Sequence, residues 1–442
     1  MKTIFITSFH VLISRNILAA PLLGELLNQG NVRAVLLVPE RKRQFFEQEF
    51  GRPGVIIEGV PRMLNRRDAF LRYLALASLN TKSLAIKRRT EMRGMGSWLV
   101  KFIGNRPRAR SIIRRLDNWL TPRERFGSLL DRYQPRLIFS TDVQNENDIR
   151  FIREAKDRGI TVAGMVRSWD NLTAKGLIRA IPDILIVNNE IIKGEAVELH
   201  GIPESRIRVV GIPHYDRYTG PAHSREEFSR QAGLDPAKPF VLYAPTGDRY
   251  LAENQVDQEI IKIIAPSLPA SHQLLVRLPP ADSVNLKDFS TPANVFFDRP
   301  GRQLARDPNL FRLNELTRED DDHLRDTLAF CDLVIAGPST IIIDAAVFDK
   351  PVILIGFDGA KTTPYYQSIR RYYDYDHFQP VLKNRGVRLA KSVGELKEWL
   401  AKYIKEPALD QAGRAKIREE QCLKLDGQSS QRLAETLLSF LA

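Results

Sequence analysis

Residues 330–359, FCDLVIAGPSTIIIDAAVFDKPVILIGFDG, restrict the fold more than any other stretch of the chain. Leu333–Ala336 is an apolar run of strand length, Gly337, Pro338, Ser339 and Thr340 make a turn, residues 341–348 are an apolar helix, and Val352–Ile355 is a second strand. Two buried strands joined through one short helix are expected as parallel neighbours in an α/β sheet. The turn falls at the carboxyl end of a strand and the start of a helix, where open parallel sheets bind ligands and unpaired N–H groups face outward. The Ser339 and Thr340 hydroxyls either cap that helix or donate to an anion. Asp344 follows one turn later among apolar neighbours, so its carboxylate needs a partner.

A length of 442 residues exceeds what one core usually supports and predicts two or three domains. Hydrophobic residues at 43% and charged ones at 27% place the chain among globular proteins and not among disordered ones. Cys331 and Cys422 are its two cysteines, which gives no disulfide framework and fits a reducing, cytoplasmic setting. The uncharged run after Lys2 imitates a signal peptide, but Thr7, Ser8 and His10 interrupt it, so it reads as a first strand and a helix over residues 16–28. No uncharged apolar run approaches the ~18 residues of a membrane span.

The net charge of +13 is concentrated in one place: residues 60–125 hold 17 Lys or Arg against four Asp or Glu, an excess equal to that of the whole chain. Arg62, Arg93, Lys101 and Arg123 are among the cations and Glu124 among the acids, and Met63, Phe70, Trp98, Leu99, Phe102, Ile112 and Trp119 are interleaved at helical spacing. A basic helical surface with aromatics suits an anionic membrane. A solvated face without a partner is the alternative, and nucleic acid is disfavoured by the lack of any nucleic-acid-binding signature.

Strands are expected over residues 2–7, 32–38, 54–60, 136–140, 160–166, 182–187 and 206–211, then at 240, 273, 294–297, 333–336 and 352–355. Several polar groups follow directly on these strands. His10 is suited to take a proton from a hydroxyl, or else packs between strand and helix. Asp142 ends the fourth strand. Trp169, Asp170 and Asn171, behind Arg167 and before Lys175, offer an apolar plate with hydrogen-bonding neighbours suited to a polyol, or else form a structural corner. Glu319, Asp320, Asp321 and Asp322 are read as the acidic first turn of a helix in preference to a metal site.

The turn 337–340 with Asp344 and the following KPVILIG, the Gly211-Ile212-Pro213-His214-Tyr215-Asp216 pattern GxPxxD, and Tyr243-Ala244-Pro245-Thr246-Gly247-Asp248-Arg249 together resemble the GT-B glycosyltransferase superfamily. That superfamily includes CDP-glycerol glycerophosphotransferases and non-hydrolysing UDP-N-acetylglucosamine 2-epimerases. The resemblance implies an α/β, GT-B fold: two Rossmann-like domains facing a central cleft, with a C-terminal helix crossing back. It divides the chain into an acceptor-side domain at 1–218 with the basic insertion 60–125, a linker at 219–234, a nucleotide-donor domain at 235–410, and a closing helix at 411–442. It implies His10 or Asp142 as catalytic base, Trp169, Asp170 and Asn171 at the acceptor, Thr246, Gly247, Arg249, Arg277, Pro338, Ser339 and Thr340 around the donor diphosphate, and Asp344 on the ribose. It implies no cofactor and no metal.

The expected activity is transfer of a sugar from a nucleotide-sugar donor to a lipid-linked or polysaccharide acceptor, by a peripheral protein at the inner membrane face. The glycerophosphotransferases carry Arg, any residue, His, Pro where this chain has Arg277-Leu278-Pro279-Pro280, so polyol-phosphate transfer from a CDP donor is the alternative. A 2-epimerase and a non-catalytic basic membrane or nucleic-acid binder are the others.

Overall fold

The computed structural model describes residues 1–28, 31–61, 66–91, 100, 102–122, 125–251, 255–302, 304 and 314–441. Arg62, Met63, Arg93, Trp98, Leu99, Lys101, Arg123 and Glu124 lie outside the described residues. The chain forms two compact units, Met1–Asp216 with Leu423–Ala442, and Arg217–Cys422.

In the first unit β1 (Lys2–Thr7), β2 (Val32–Pro39), β3 (Val55–Val60), β4 (Leu137–Ser140), β5 (Thr161–Met165), β6 (Ile184–Val187) and β7 (Ile207–Val209) form one parallel sheet in the order β3-β2-β1-β4-β5-β6-β7. In the second, β8 (Phe240–Ala244), β9 (Gln273–Arg277), β10 (Val295–Asp298), β11 (Leu333–Ala336), β12 (Val352–Ile355) and β13 (Arg388–Ala390) form another in the order β10-β9-β8-β11-β12-β13. Helices cover both faces of sheets of this kind, which is why the strands read as continuous apolar runs and not as alternating ones. Each sheet winds outward in both directions from its first strand. The order therefore reverses between β1 and β4 and again between β8 and β11, and at such points the loops part and leave room for a ligand.

Four expectations change on contact with the structure. The single helix over 16–28 is instead Val11–Ile13, a π turn Ser14–Leu18, and a helix Leu22–Asn28 inclined by 52°; Pro21 has no N–H to continue the ladder. The short strand β13 was not expected, because Arg388 interrupts its apolar pattern. The segment 219–234 is no loose linker: it contains the helix Arg225–Ala232, and Asp326 accepts from the Ala222 and His223 N–H groups while Arg325 donates to the carbonyls of Gly220 and Pro221. The closing helix is two helices, Gln411–Cys422 in the second unit and Ser429–Leu438 in the first. Among the described residues no single helix is long and apolar enough to cross a membrane.

The basic segment supplies the helices Arg66–Ala77, Lys82–Thr90 and Pro107–Leu120. Two of its acids hold it in place. Asp68 pairs with Arg150, and Asp117 pairs with Arg153 at 2.5 Å and Arg179 at 3.5 Å, all of them buried. Several of its cations also point inward: Arg88 donates to the Leu76 and Leu79 carbonyls, Arg110 to that of Leu199, and Arg114 to those of Ile178 and His200.

The GxPxxD pattern acquires a physical reason. Asp216 accepts from the N–H groups of Ser429 at 2.8 Å and Ser430 at 2.6 Å, so its carboxylate caps the returning helix Ser429–Leu438. Gly211, at φ +89°, lies where a Cβ would meet Ser429 Oγ at 2.5 Å, which leaves that helix room to dock. Asp216→Ala is expected to lower unfolding stability by about 1–2 kcal/mol, the loss of a charged cap. Urea denaturation checks this, and a change within about 0.3 kcal/mol would remove the capping role.

Candidate functional site

Both sheet reversals are built on a buried aspartate in the first turn of a helix. In the first unit Asp148, of the helix Glu146–Asp157, accepts hydrogen bonds from Thr7 Oγ at the end of β1 and from Ser140 Oγ at the end of β4. Thr141 adds a second tie, its N–H to Thr7 Oγ at 2.9 Å and its hydroxyl to the Thr7 carbonyl at 2.8 Å. Asp148 is wholly buried and its Oδ2 has no hydrogen-bond partner. Burial, reinforced by the neighbouring Asp142 charge, pushes its carboxyl up to about 8, so it is mostly protonated at neutral pH.

Above this tie the loops after β1, β4 and β5 bring several of the sequence candidates together. Asp142 Oδ1 accepts from Asn171 Nδ2 at 3.4 Å and the Gln144 N–H at 3.3 Å, and Oδ2 lies 3.4 Å from Arg167 Nε. Asn171 in turn accepts from Lys175 Nζ at 2.6 Å, and Asp170 lies 3.3 Å from the same amine. Trp169 and Asn171 are both buried, so the tryptophan is largely covered and the asparagine serves as a strut between Asp142 and Lys175. His10 is depressed to about 2, first by burial and then by the Arg167, Lys175 and Lys42 charges. It is therefore neutral. Its Nδ1 accepts the Leu12 N–H at 3.2 Å, which places the ring proton on Nε2 and makes that outer nitrogen a donor.

The second reversal is arranged in the same way. Asp257, of the helix Val256–Ser267, accepts from Tyr243 OH at 2.7 Å and from the N–H groups of Thr246 and Gly247 at 3.0 and 2.9 Å. The N–H groups of these two residues, which were expected around the donor diphosphate, are thus already engaged. A Cβ on Gly337 would meet Thr246 Oγ1 at 2.1 Å, so the turn after β11 needs glycine in order to lie against the end of β8. Beyond it the N–H groups of Ser339 and Thr340 have no protein partner among the described residues, and Thr340 is exposed.

Arg249 stacks on Tyr250 at 4.7 Å, and Tyr250 meets Tyr372 edge-on at 5.7 Å. Arg277 is held by Asp298 and the Asp320 carbonyl and is buried. Asp344 is buried as well, close enough to Cys422 that its charge, after burial itself, helps raise that thiol. Three of the acids 319–322 serve structural ends: Asp320 closes a capping box with Thr317, and Asp321 and Asp322 pair with Arg217.

Residues 174–439, more than half of the chain, match the family described as CDP-Glycerol:Poly(glycerophosphate) glycerophosphotransferase. The chain belongs to this family. No curated protein matches it. Among solved structures the glycerophosphotransferase family member resembles the Staphylococcus aureus MnaA–UDP co-structure (TM-score 0.57, 11% identity, all of this chain and 97% of that one). It also resembles the UDP-GlcNAc 2-epimerase from Neisseria meningitidis bound to UDP-GlcNAc (TM-score 0.57, 11% identity, 99% and 100% covered) and the wall teichoic acid polymerase TagF (TM-score 0.53, 11% identity, 99% and 88% covered). At such identities the likeness shows the fold, which is α/β and GT-B with two Rossmann-like domains. Family membership makes the chain a transferase of the glycosyltransferase type.

The two residues that tie the sheet reversals together, Asp148 and Asp257, were not singled out from sequence. Each sits in the first turn of a helix, where an acid reads as ordinary dipole compensation. Asp148 yields a pH test. Its proton is held more tightly in the folded chain than at the ordinary value of 3.8, so its contribution to stability is complete below about pH 4 and is lost as pH rises through about 8. Asp148→Asn, which keeps an acceptor for Thr7 and Ser140, is expected to flatten the decline in stability over that window. Urea unfolding at several pH values measures it, and identical slopes in the two proteins would refute a protonated Asp148.

Proposed function

We propose that the chain transfers a sugar from a nucleotide-sugar donor to a hydroxyl of a lipid-linked or polysaccharide acceptor at the inner membrane face. The observation that carries this reading is the pair of sheet reversals, each presenting a different chemistry: a carboxylate with hydrogen-bonded supports in the first unit, and unpaired N–H groups in the second. In the first, Asp142 is the better base, because His10 Nε2 carries a proton and has nowhere to accept another. Asp142 would take the acceptor proton as the hydroxyl oxygen bonds to the anomeric carbon and the bond from that carbon to the diphosphate breaks. In the second, the Ser339 and Thr340 N–H groups with Arg249 would receive the charge of the departing nucleoside diphosphate, a task that needs no metal or cofactor. Arg277 contributes by fixing Asp298 and not by touching phosphate.

A second reading, polyol-phosphate transfer from a CDP donor, is favoured by the family match itself. The leaving groups separate the two: sugar transfer releases a nucleoside diphosphate, whereas polyol-phosphate transfer releases CMP. A thermal-shift panel of UDP, CDP, CMP, GDP and ADP is expected to show stabilisation by a nucleoside diphosphate, and stabilisation by CMP alone would favour the second reading. Asp344→Asn is expected to weaken that nucleotide about tenfold if the carboxylate holds ribose. Unchanged affinity would leave Asp344 as packing beside Cys422. Asp142→Asn is expected to lower kcat by at least about a hundredfold with nucleotide binding intact, and a near-normal kcat would exclude it as base.

Membrane attachment is supported by the outer face of Pro107–Leu120. Arg108, Ile112, Arg115 and Trp119 step by four, three and four residues along one line of that helix, and all are exposed, Trp119 by 80% and Ile112 by 63%. Cations beside uncovered apolar groups suit an anionic lipid surface. Arg108→Glu with Arg115→Glu should weaken cosedimentation with phosphatidylserine vesicles about fivefold per residue at low salt. Binding indifferent to both salt and charge reversal would rule out this face. Arg88 and Arg114 make poor probes because their guanidinium groups hold backbone carbonyls.

A further inference from the structure

Among the described residues, the buried arginines of the first unit each make at least one hydrogen bond, although Nε of Arg110 and of Arg150 has no partner. Arg110 donates to the Leu199 carbonyl, Arg114 to that of His200, Arg150 to Asp68 and Arg153 to Asp117. Arg167, two residues beyond β5, differs. Its side chain is 7% exposed, yet neither Nε nor Nη1 makes a hydrogen bond, and its ion pair is the loose 3.4 Å approach of Nε to Asp142. Asp142 already accepts from Asn171 and Gln144, so it compensates the guanidinium only in part.

A buried, permanently charged group with idle donors is costly unless something binds it. Its surroundings are positive. Arg167, Lys175 and Lys42 each act on His10, and Asp170, the acid nearest Lys175, is paired with that lysine. Ser8, at the carboxyl end of β1, adds a buried hydroxyl with no partner at the same edge of the sheet.

We propose that Arg167 is the anchor of an oxyanion site in the first unit, which takes a phosphate-type group of the acceptor beside the hydroxyl that Asp142 activates. The inference rests on the proposed use of this unit for the acceptor. The planar guanidinium pairs two oxygens of the anion, and the Ser8 hydroxyl serves a third that lies out of that plane, which a tetrahedral phosphate possesses and a carboxylate lacks. The neutral His10, with its Nε2 proton, is a further donor at this edge. Trp169, Asp170 and Asn171 then frame the site without being its principal ligand contacts.

The test uses the full chain, titrated calorimetrically with inorganic phosphate, dimethyl phosphate and acetate, each alone and in the presence of whichever nucleotide the thermal-shift panel selects. Phosphate is expected to bind in both conditions, and to bind at least about tenfold more weakly in Arg167→Gln, which loses the charged donors. Arg167→Lys keeps the charge, loses the fork, and is expected to fall between the two; it also serves if the glutamine variant does not fold. The nucleotide response of both variants should match the parent's. Because the substitution removes an uncompensated buried charge, the unfolding midpoint of Arg167→Gln without ligand should be no lower than the parent's, whereas a purely structural pairing with Asp142 would lower it. Dimethyl phosphate binding as well as phosphate identifies a diester oxygen as the recognised group, and phosphate alone identifies a monoester or the free ion. Phosphate binding that is unchanged in Arg167→Gln, is abolished by nucleotide, or is equalled by acetate would overturn the proposal. A failed nucleotide response with an intact Arg167-dependent phosphate response would instead count against the donor reading alone.

Discussion

The hydrogen bonds between Asp148 and the ends of β1 and β4 are the interactions on which the placement of the polar loops of the first unit depends. Parallel strands on either side of a reversal send their following chains to opposite faces of the sheet, so the strand ends tend to splay there. Thr7, Ser140 and Thr141 close that gap through one carboxyl group and two backbone contacts. The hydroxyl donors of Thr7 and Ser140 favour the ionised carboxylate, but burial and the neighbouring Asp142 charge outweigh them and favour the protonated form. Asp142 lies one residue beyond this tie, and its placement relative to Asn171 and Arg167 is inherited from it. The second unit repeats the device with Asp257, which spends backbone donors of Thr246 and Gly247 on structure. What remains for a ligand is therefore set by what the fold has already used.

The same accounting separates the basic segment into two populations. Two of its acids face inward, where Asp68 and Asp117 meet Arg150, Arg153 and Arg179, and breaking such pairs would strand a buried charge. Arg88, Arg110 and Arg114 are absorbed by carbonyls at helix and loop ends. Arg108 and Arg115 are left outside with Ile112 and Trp119. A count of charges gives the sign of the surface but not its geometry; the line along one helix face comes from burial of Ile113 and Asp117 on the opposite side.

Much of the fold was legible because parallel strands buried on both faces leave continuous apolar runs, as β6, β8, β11 and β12 do. The unit containing Gly337 was readable to the residue at both strands, since Leu333–Ala336 and Val352–Ile355 carry no polar interruption. Strand β13 was not, because three residues including Arg388 form no pattern. The break between Leu18 and Leu22 was missed because an apolar run conceals the effect of Pro21 on its backbone. Gly211 and Asp216 were visible as a pattern, but the helix they receive lies more than two hundred residues away, beyond any local signal.

The candidate site was less legible, for a reason that applies to polar residues generally. Sequence places a side chain at a strand's end but does not say which of its donors and acceptors the fold has already consumed. Asn171, Thr246, Gly247 and Arg277 all stand at the expected edge, and each is engaged: the asparagine between Asp142 and Lys175, the two N–H groups on Asp257, the arginine on Asp298. Arg167 stands at the same edge with Nε and Nη1 free of hydrogen bonds and only a 3.4 Å ion pair to Asp142. A group whose bonds are missing marks a candidate ligand site more sharply than one whose type merely looks right, because an idle buried donor costs stability that a bound acceptor would restore.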